Sequence, residues 1–379
     1  MNKESVFSRV LKEFETITSR GHRDLPSSFP RNHIPIGFFC PYVPEELIHA
    51  AGALPFRLMS TSTQMSHVQA HLPPHCCHLV KSSLESLLRG ELDFLKGIIF
   101  SHTCDAMQGL ADIWALQKRT PLQFNLMMPS RFDSELSRHF LRAEIDRFRT
   151  FLESNVGKIT SQNLSTSIQL FNRIRENLLE IYIRRQKGHT QISDRDFARV
   201  VQAGYLMDRQ RYFELLTDVV NSLPDKTGEG ENLVPIFLAG NMTHSEFYFS
   251  LIEEAGAIVV QDDLCSGTRF LRLMAPEDMD PIEGLTHRYF TSFLCPTKHQ
   301  GPNAHMETLL KEVQNSGAKG VIFLLYKYCE THFFDYPDLK QALESKGIAT
   351  LLLEVEDPSS SIGQLKTRIQ AFVEMLSPI

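Results

Sequence analysis

The sequence predicts an α/β protein: two similar units of about four parallel strands each, flanked by helices, with a helical section between them. Three observations carry that prediction. Apolar, β-branched runs entered by a Gly recur, as in Gly97-Ile98-Ile99-Phe100 and Gly320-Val321-Ile322-Phe323-Leu324-Leu325. Unbroken runs of this length read as strands buried on both faces of a parallel sheet. A strand–helix–Gly–strand order occurs twice, around Glu46, Gly52 and Pro55 and again around Glu253, Gly256 and Val260. Between them, residues 134–224 lose the strand texture and space their apolar residues as helices do, for example Ile168, Phe171, Ile174, Leu178 and Leu179. The expected organisation is therefore residues 1–133, 134–224 and 225–379.

Taken in order, Val6, Val10, Leu11, Phe14 and Ile17 mark one face of an opening helix, followed by a polar loop. Ile34 to Phe39 is a short strand. Pro44 to Ala51 is a helix with Pro at its start and acids in its first turn, and Gly52 stops it. Ala53 to Leu58 is the second strand. The loop Pro73-Pro74-His75-Cys76-Cys77-His78 leads into a helix over Val80 to Leu88. The strand begun at Gly97 runs towards Cys104, Met107 to Gln117 is a helix, and Leu122 to Met127 is the fourth strand. Asp225 to Asn232 has the composition of a linker. The pattern then returns: strands at Val234–Gly240, Ala257–Val260, Gly320–Tyr326 and Ile348–Leu353, and helices at His244–Glu254, Leu339–Lys346 and Gln364–Leu376.

With 379 residues and 42% hydrophobic content the chain can bury two ordinary cores. A net charge of −6 offers nothing to nucleic acid or to an anionic membrane surface. No apolar run is long enough to span a bilayer, and Met1 to Glu4 opens a polar helix rather than a signal peptide. The expected location is the cytoplasm, where the seven cysteines (40, 76, 77, 104, 265, 295 and 329) are not structural disulfides. They point instead to metal binding, redox chemistry or plain burial. No P-loop and no Gly-x-Gly-x-x-Gly following a strand is present, so the chain itself is not expected to bind ATP.

Cys104 and Cys329 both follow a strand end and precede an acid, and carboxyl ends of strands are where open α/β sheets build sites. Thiolate is a soft ligand that selects zinc, copper(I) or iron–sulfur clusters. Zinc fingers space their ligands about two to four residues apart. Here Cys77 and Cys104 are 27 residues apart, and Cys104 and Cys329 are 225 apart. Such ligands meet only if the fold brings distant loop ends together. At most one of the adjacent Cys76 and Cys77 reaches a shared metal. Cys40 and Cys295 read better as buried, inert thiols.

The stretch Gly37-Phe38-Phe39-Cys40-Pro41-Tyr42-Val43-Pro44-Glu45-Glu46-Leu47-Ile48-His49-Ala50-Ala51-Gly52-Ala53-Leu54-Pro55 resembles the opening signature of the 2-hydroxyacyl-CoA dehydratase and benzoyl-CoA reductase family. So do Cys77-His78-Leu79-Val80-Lys81-Ser82-Ser83, Thr103-Cys104-Asp105 and Lys327-Tyr328-Cys329-Glu330, while Gln261 to Arg269 is similar to a further family segment. The resemblance covers most of the chain and rests on the combination of motifs. It implies a catalytic D-component subunit carrying a [4Fe-4S] cluster on Cys77, Cys104 and Cys329, with one iron free of Cys. Cys77 is preferred to Cys76 because the residues after it fit the family register. The family more often has a small acid or Asp-Pro after the last ligand; here it is Glu330-Thr331, which leaves ligation unaffected.

The resemblance further implies a related second subunit or a homodimer, an acyl-CoA substrate, and a separate ATP-dependent iron–sulfur activator that delivers one electron. The thioester would become a ketyl radical anion at the open iron. Hydroxide would leave the α-carbon, the β-proton would be lost, and the electron would return. An open iron is a Lewis acid, and the cluster's potential depends on charge, burial and hydrogen bonds to sulfur. Ser82, Ser101, His102 and Thr103 are placed to supply such bonds, although Ser82 and Ser101 read better as ordinary cap and strand-end groups.

Glu46 resembles the family's Pro-x-Glu acid, a substrate-binding or proton-moving group; the plainer reading is an acid offsetting the helix dipole, which suits Glu45 better. His75, His78 and His102 are the histidines to test first. Arg269 is expected either to contact an acyl-CoA phosphate or its partner's acids, or to form a surface salt bridge. Two other functions fit the same residues: a benzoyl-CoA reductase subunit or double-cubane reductase, and a non-catalytic iron–sulfur or CoA-ester-binding subunit.

Overall fold

The computed structural model describes residues 3–30, 33–59, 64–190, 192–224, 233–241, 246–272, 274–291, 295–301, 303–356 and 362–377. The expected linker at 225–232 lies outside them, as does the expected helix start at His244.

Among the described residues, eight strands form two four-stranded parallel sheets. The first contains β1 (Ile34–Phe38), β2 (Ala53–Arg57), β3 (Gly97–Ser101) and β4 (Leu122–Leu126), in the order β2-β1-β3-β4. The second contains β5 (Val234–Gly240), β6 (Ala257–Asp263), β7 (Gly320–Tyr326) and β8 (Ala349–Val355), in the order β6-β5-β7-β8. The repeat extends to register. Ile34 pairs with Ala53 and Ile36 with Gly97 in the first sheet; Val234 pairs with Ala257 and Ile236 with Gly320 in the second.

The two entry glycines are there for space. A Cβ on Gly97 would stand 2.7 Å from the Ile36 side chain, and one on Gly320 would stand 2.7 Å from Leu376 and 2.9 Å from Phe372. β3 and β7 are buried along their whole length, which is why their sequences run apolar without alternation. In β7, Ile322 and Leu324 join the main core, while Val321, Phe323 and Leu325 form a second cluster on the other face with Phe237 of β5, Leu309, Val313, Leu339 and Leu343.

The section between the sheets is helical, with helices Glu135–Asn155, Ser161–Gln186, Asp194–Leu206 and Arg209–Ser222. It ties the two units together. Buried Arg185 ion-pairs with Asp194 and donates to the Val259 carbonyl at 2.9 Å, while Asn172 donates to the Ala275 carbonyl at 2.8 Å. The opening helix, Lys3–Thr18, packs on Asp194–Leu206 and Arg209–Ser222. Among the described residues no helix is long and apolar enough to cross a membrane.

Three differences from the sequence reading bear on function. The helix after Cys329 spans Glu330–Glu344, starting nine residues before the expected Leu339. Its first half shows little apolar periodicity, because only His332 there is buried and Phe334 is exposed. β6 continues past Val260 to Asp263, carrying two acids into the core. Helices Thr268–Leu271, Pro281–Thr291 and Ala304–Ser316 have no counterpart among the expected elements.

Candidate metal centre

In each sheet the strand order reverses beside the first strand, between β1 and β3 and between β5 and β7. Open parallel sheets bind ligands at such points, outside the carboxyl ends of the strands. Cys40 follows β1, Cys104 follows β3, Asn241 follows β5 and Cys329 follows β7. Cys77 enters the same space from the loop between β2 and β3.

Cys77, Cys104 and Cys329 occupy equivalent positions. Each is the N-cap of a helix: His78–Leu88, Asp105–Gln117 and Glu330–Glu344 respectively. The amides three residues on, at Val80, Met107 and His332, face the three sulfurs and favour their anionic form. All three thiols are half-buried and free. They lie close enough to act on one another: Cys329 and Cys104 both raise the pKa of Cys77, and Cys329 raises that of Cys104.

Burial pushes Cys77 up to about 12, and burial likewise raises Cys104. Burial would raise Cys329 too, but the charge and hydrogen bonding of His332, with help from Thr331, bring it down to about 7. Metal coordination would deprotonate all three outright.

The donor set fits an iron–sulfur cube: three soft thiolates, drawn from both sheets and fronted by backbone amides. Among the described residues no three His, Cys, Asp or Glu side chains gather tightly enough to hold a single ion.

Around Cys329 lies a polar layer. The Asn241 amide nitrogen is 3.0 Å from its sulfur and His332 Nδ1 is 3.4 Å away. Arg269 is 1% exposed. It lies neither on the surface nor in a surface salt bridge. Its guanidinium grips Asp263 at 2.7 and 3.2 Å, donates to Cys265 Sγ at 3.2 Å and meets His332 Nε2 at 3.4 Å. Asp263 also receives Arg272 at 2.6 Å and His305 at 3.1 Å, and His305 reaches on to Asp335 at 2.9 Å.

A second group of thiols adjoins the first. Cys265 shares a hydrogen bond with Cys295, and this bond with Arg269 and His332 holds the Cys265 thiol well below its usual range despite burial. Burial pushes Cys40 up to about 12, and both Cys265 and Cys104 act on it. A cavity of about 340 Å³ opens between the 295–301 loop and helices Ala304–Ser316 and Glu330–Glu344, lined by Cys295, Lys298, His305 and Asp335. It falls within the size range of small-molecule sites. Lys298, on its lining, donates to the His102 carbonyl at 3.0 Å.

Glu46 is wholly buried and ion-paired with Arg175 of the helical section, with the Tyr289 hydroxyl 3.5 Å away. Burial would raise its pKa, but Arg175 and Arg288 lower it, so it is held as a carboxylate. Glu45 is buried as well, paired with Arg209 at 2.9 Å. Neither acid is a solvated charge serving the helix dipole.

Of the named histidines, His75 is exposed, and His78 is buried with its ring 5.8 Å from Tyr326. His102 is half-buried. A histidine not named from the sequence, His332, one turn into the helix capped by Cys329, touches a predicted ligand. Placing that helix start at Glu330 would have identified it, since residues three apart share a helix face. Ser82 bonds within its own helix, to the Leu79 carbonyl at 3.3 Å.

Known proteins resemble the chain over most of its length. The beta subunit of (R)-phenyllactyl-CoA dehydratase from Clostridium sporogenes is 26% identical over 345 residues, covering 90% of this chain and 91% of that protein. The beta subunit of (R)-2-hydroxyglutaryl-CoA dehydratase from Acidaminococcus fermentans is 25% identical over 380 residues, covering 97% and 99%. A benzoyl-CoA reductase subunit from Thauera aromatica is 22% identical over 383 residues, covering 99% of each. A family model matches residues 40–376, a span that holds the second sheet, β2 to β4 of the first and all three capping cysteines, and the chain therefore belongs to the family of 2-hydroxyglutaryl-CoA dehydratase D-components, enzymes that dehydrate CoA esters.

Proposed function

We propose that this chain is a subunit of a 2-hydroxyacyl-CoA dehydratase and holds a [4Fe-4S] cluster on Cys77, Cys104 and Cys329. The observation that carries the reading is the meeting of three thiols on three helix N-caps, at the carboxyl ends of both sheets. When bound, such a cluster supplies one-electron chemistry and a Lewis-acidic iron corner for a thioester oxygen.

The chain's own residues do the rest. The caps hold the thiolates, and Asn241 and His332 surround the third of them. The 340 Å³ cavity admits the acyl arm of a CoA ester to the Cys295 and Lys298 side of the crevice. Arg269 acts from inside, orienting Cys265, Asp263 and His332. Glu46, locked to Arg175, fixes the Glu45–Ala50 helix against the helical section. A related second subunit pairs with this one, and a separate ATP-dependent activator delivers the electron; the subunit names of the relatives support the pairing. Seven free cysteines suit the reducing cytoplasm.

The test is anaerobic purification with iron and sulfide analysis. We expect about four irons per chain, and loss of iron and brown colour in Cys104→Ala. A Cys104→Ala protein that keeps its full iron defeats the assignment.

One observation favours a second reading. Cys40, Cys265 and Cys295 adjoin the three proposed ligands, so six thiols share one crevice. A reductase relative holding two cubes per chain would use them, and about eight irons per chain would select it.

A further inference from the structure

Asn241 is absent from the ligand set and stands 88 positions before Cys329 in the chain. It is the first residue after β5, at the point where that sheet reverses its strand order. Its approach to β7 is close. Gly240 has φ +147, and a Cβ there would fall 2.1 Å from the Leu324 carbonyl oxygen. No other residue fits that position, and the tight crossing delivers the Asn241 side chain, 6% exposed, against Cys329.

The orientation of the amide is determined by its partners. The Tyr326 backbone N–H, which can only donate, lies 2.7 Å from Oδ1. The oxygen must face that donor, so the NH2 group faces the other way. There it donates to Cys329 Sγ at 3.0 Å, with the His332 ring alongside, Nδ1 3.1 Å from the amide nitrogen. Thr331 Oγ1 is farther from the sulfur, at 3.8 Å. Asn241 is thus the nearest side-chain donor to this sulfur among the described residues, and its position is set by backbone on both sides.

We infer that Asn241 is a positioning residue that donates a hydrogen bond to the Cys329 sulfur and thereby makes the cluster easier to reduce. An N–H donor draws electron density from a ligating sulfur and favours the more negative, reduced state of the cluster. The inference rests on the ligand assignment proposed above.

The experiment measures the midpoint potential of the anaerobically purified protein by redox titration followed by electron paramagnetic resonance, with iron content determined in parallel. Asn241→Leu removes the donor at similar size. It is expected to shift the potential negative by about 59 mV, a tenfold change for one electron. Asn241→Asp keeps an acceptor for the Tyr326 N–H but sets a carboxylate against the sulfur, and is expected to shift it further in the same direction. A purely structural asparagine would change stability and leave the potential in place. Unmoved potentials at full iron content therefore overturn this inference and leave the ligand assignment standing. Wild-type protein without iron overturns both. If both variants lose iron, the residue holds the ligand rather than tuning it, and the inference is overturned.

Discussion

The two sheets share strand order, register and the placement of a cysteine at the reversal point, yet they surround their thiols differently. The first unit supplies Cys40, Cys77 and Cys104 from largely apolar surroundings, and burial raises the pKa of all three. The second supplies Cys329 and Cys265 with His332, Arg269 and Asn241 beside them, and both thiols are drawn below their usual range, while Cys295, hydrogen-bonded to Cys265, is pushed well above it. A repeated fold therefore presents two unlike faces to one crevice. One face contributes most of the proposed ligands; the other contributes one ligand and the charged and hydrogen-bonding groups. Topology places a thiol, and its neighbours decide its ionisation.

The largest test of this contrast removes the ligands themselves. Cys77→Ala, Cys104→Ala and Cys329→Ala are each expected to lose the cluster, read as iron per chain. Retained iron in any one of them excludes that sulfur. Next is Glu46→Leu, which leaves Arg175 buried without its main partner. A loss of about 3–5 kcal/mol is expected, measured from denaturant midpoints of the cluster-free protein. A loss below about 1 kcal/mol would mean that Glu46 does not anchor the first unit to the helical section.

The ionisation difference can be read directly in cluster-free protein by alkylation followed by peptide mapping. Cys329 should become reactive with a midpoint near pH 7, whereas Cys77 should stay unreactive until close to pH 12. His332 lowers the Cys329 value by favouring thiolate, so His332→Gln should move its midpoint upward, towards the ordinary thiol value of 9.0 or beyond. Equal midpoints for Cys77 and Cys329 in the wild type would erase the contrast.

Gly240→Ala should cost about 1–3 kcal/mol, because the added carbon meets the Leu324 carbonyl. Gly52→Ala, at φ +81 with nothing within 4 Å of the added carbon, should cost about 1 kcal/mol. The smallest effect is expected at the contact between units made by Lys81 and Glu356, 3.4 Å apart and partly solvated. Lys81→Met should change stability by less than about 1 kcal/mol.

Much of the architecture was legible in the chain. Buried parallel strands are continuous apolar runs, so β1, β3, β5 and β7 stood out, and the family motifs marked Cys77, Cys104 and Cys329. The polar layer was not legible. Asn241 lies in a stretch that reads as a strand end. His332 sits in a helix whose start was hidden by weak periodicity. Asp263 falls past the expected end of its strand at Val260, and Arg269 reads as a phosphate contact or a surface salt bridge, although both are buried and paired with each other.

By itself the sequence determined the two sheets, the helical section and which cysteines stand at strand ends, because burial periodicity and strand punctuation are local properties of the chain. Only the tertiary structure decided that three helix N-caps converge, that an asparagine after β5 reaches the sulfur after β7, and that Glu46 and Arg269 are spent on buried ion pairs. The physical reason is that parallel sheets bring carboxyl ends together across long crossovers, so the Arg269–His332, Asn241–Cys329 and Glu46–Arg175 contacts join residues 63, 88 and 129 positions apart, beyond any periodicity in the chain.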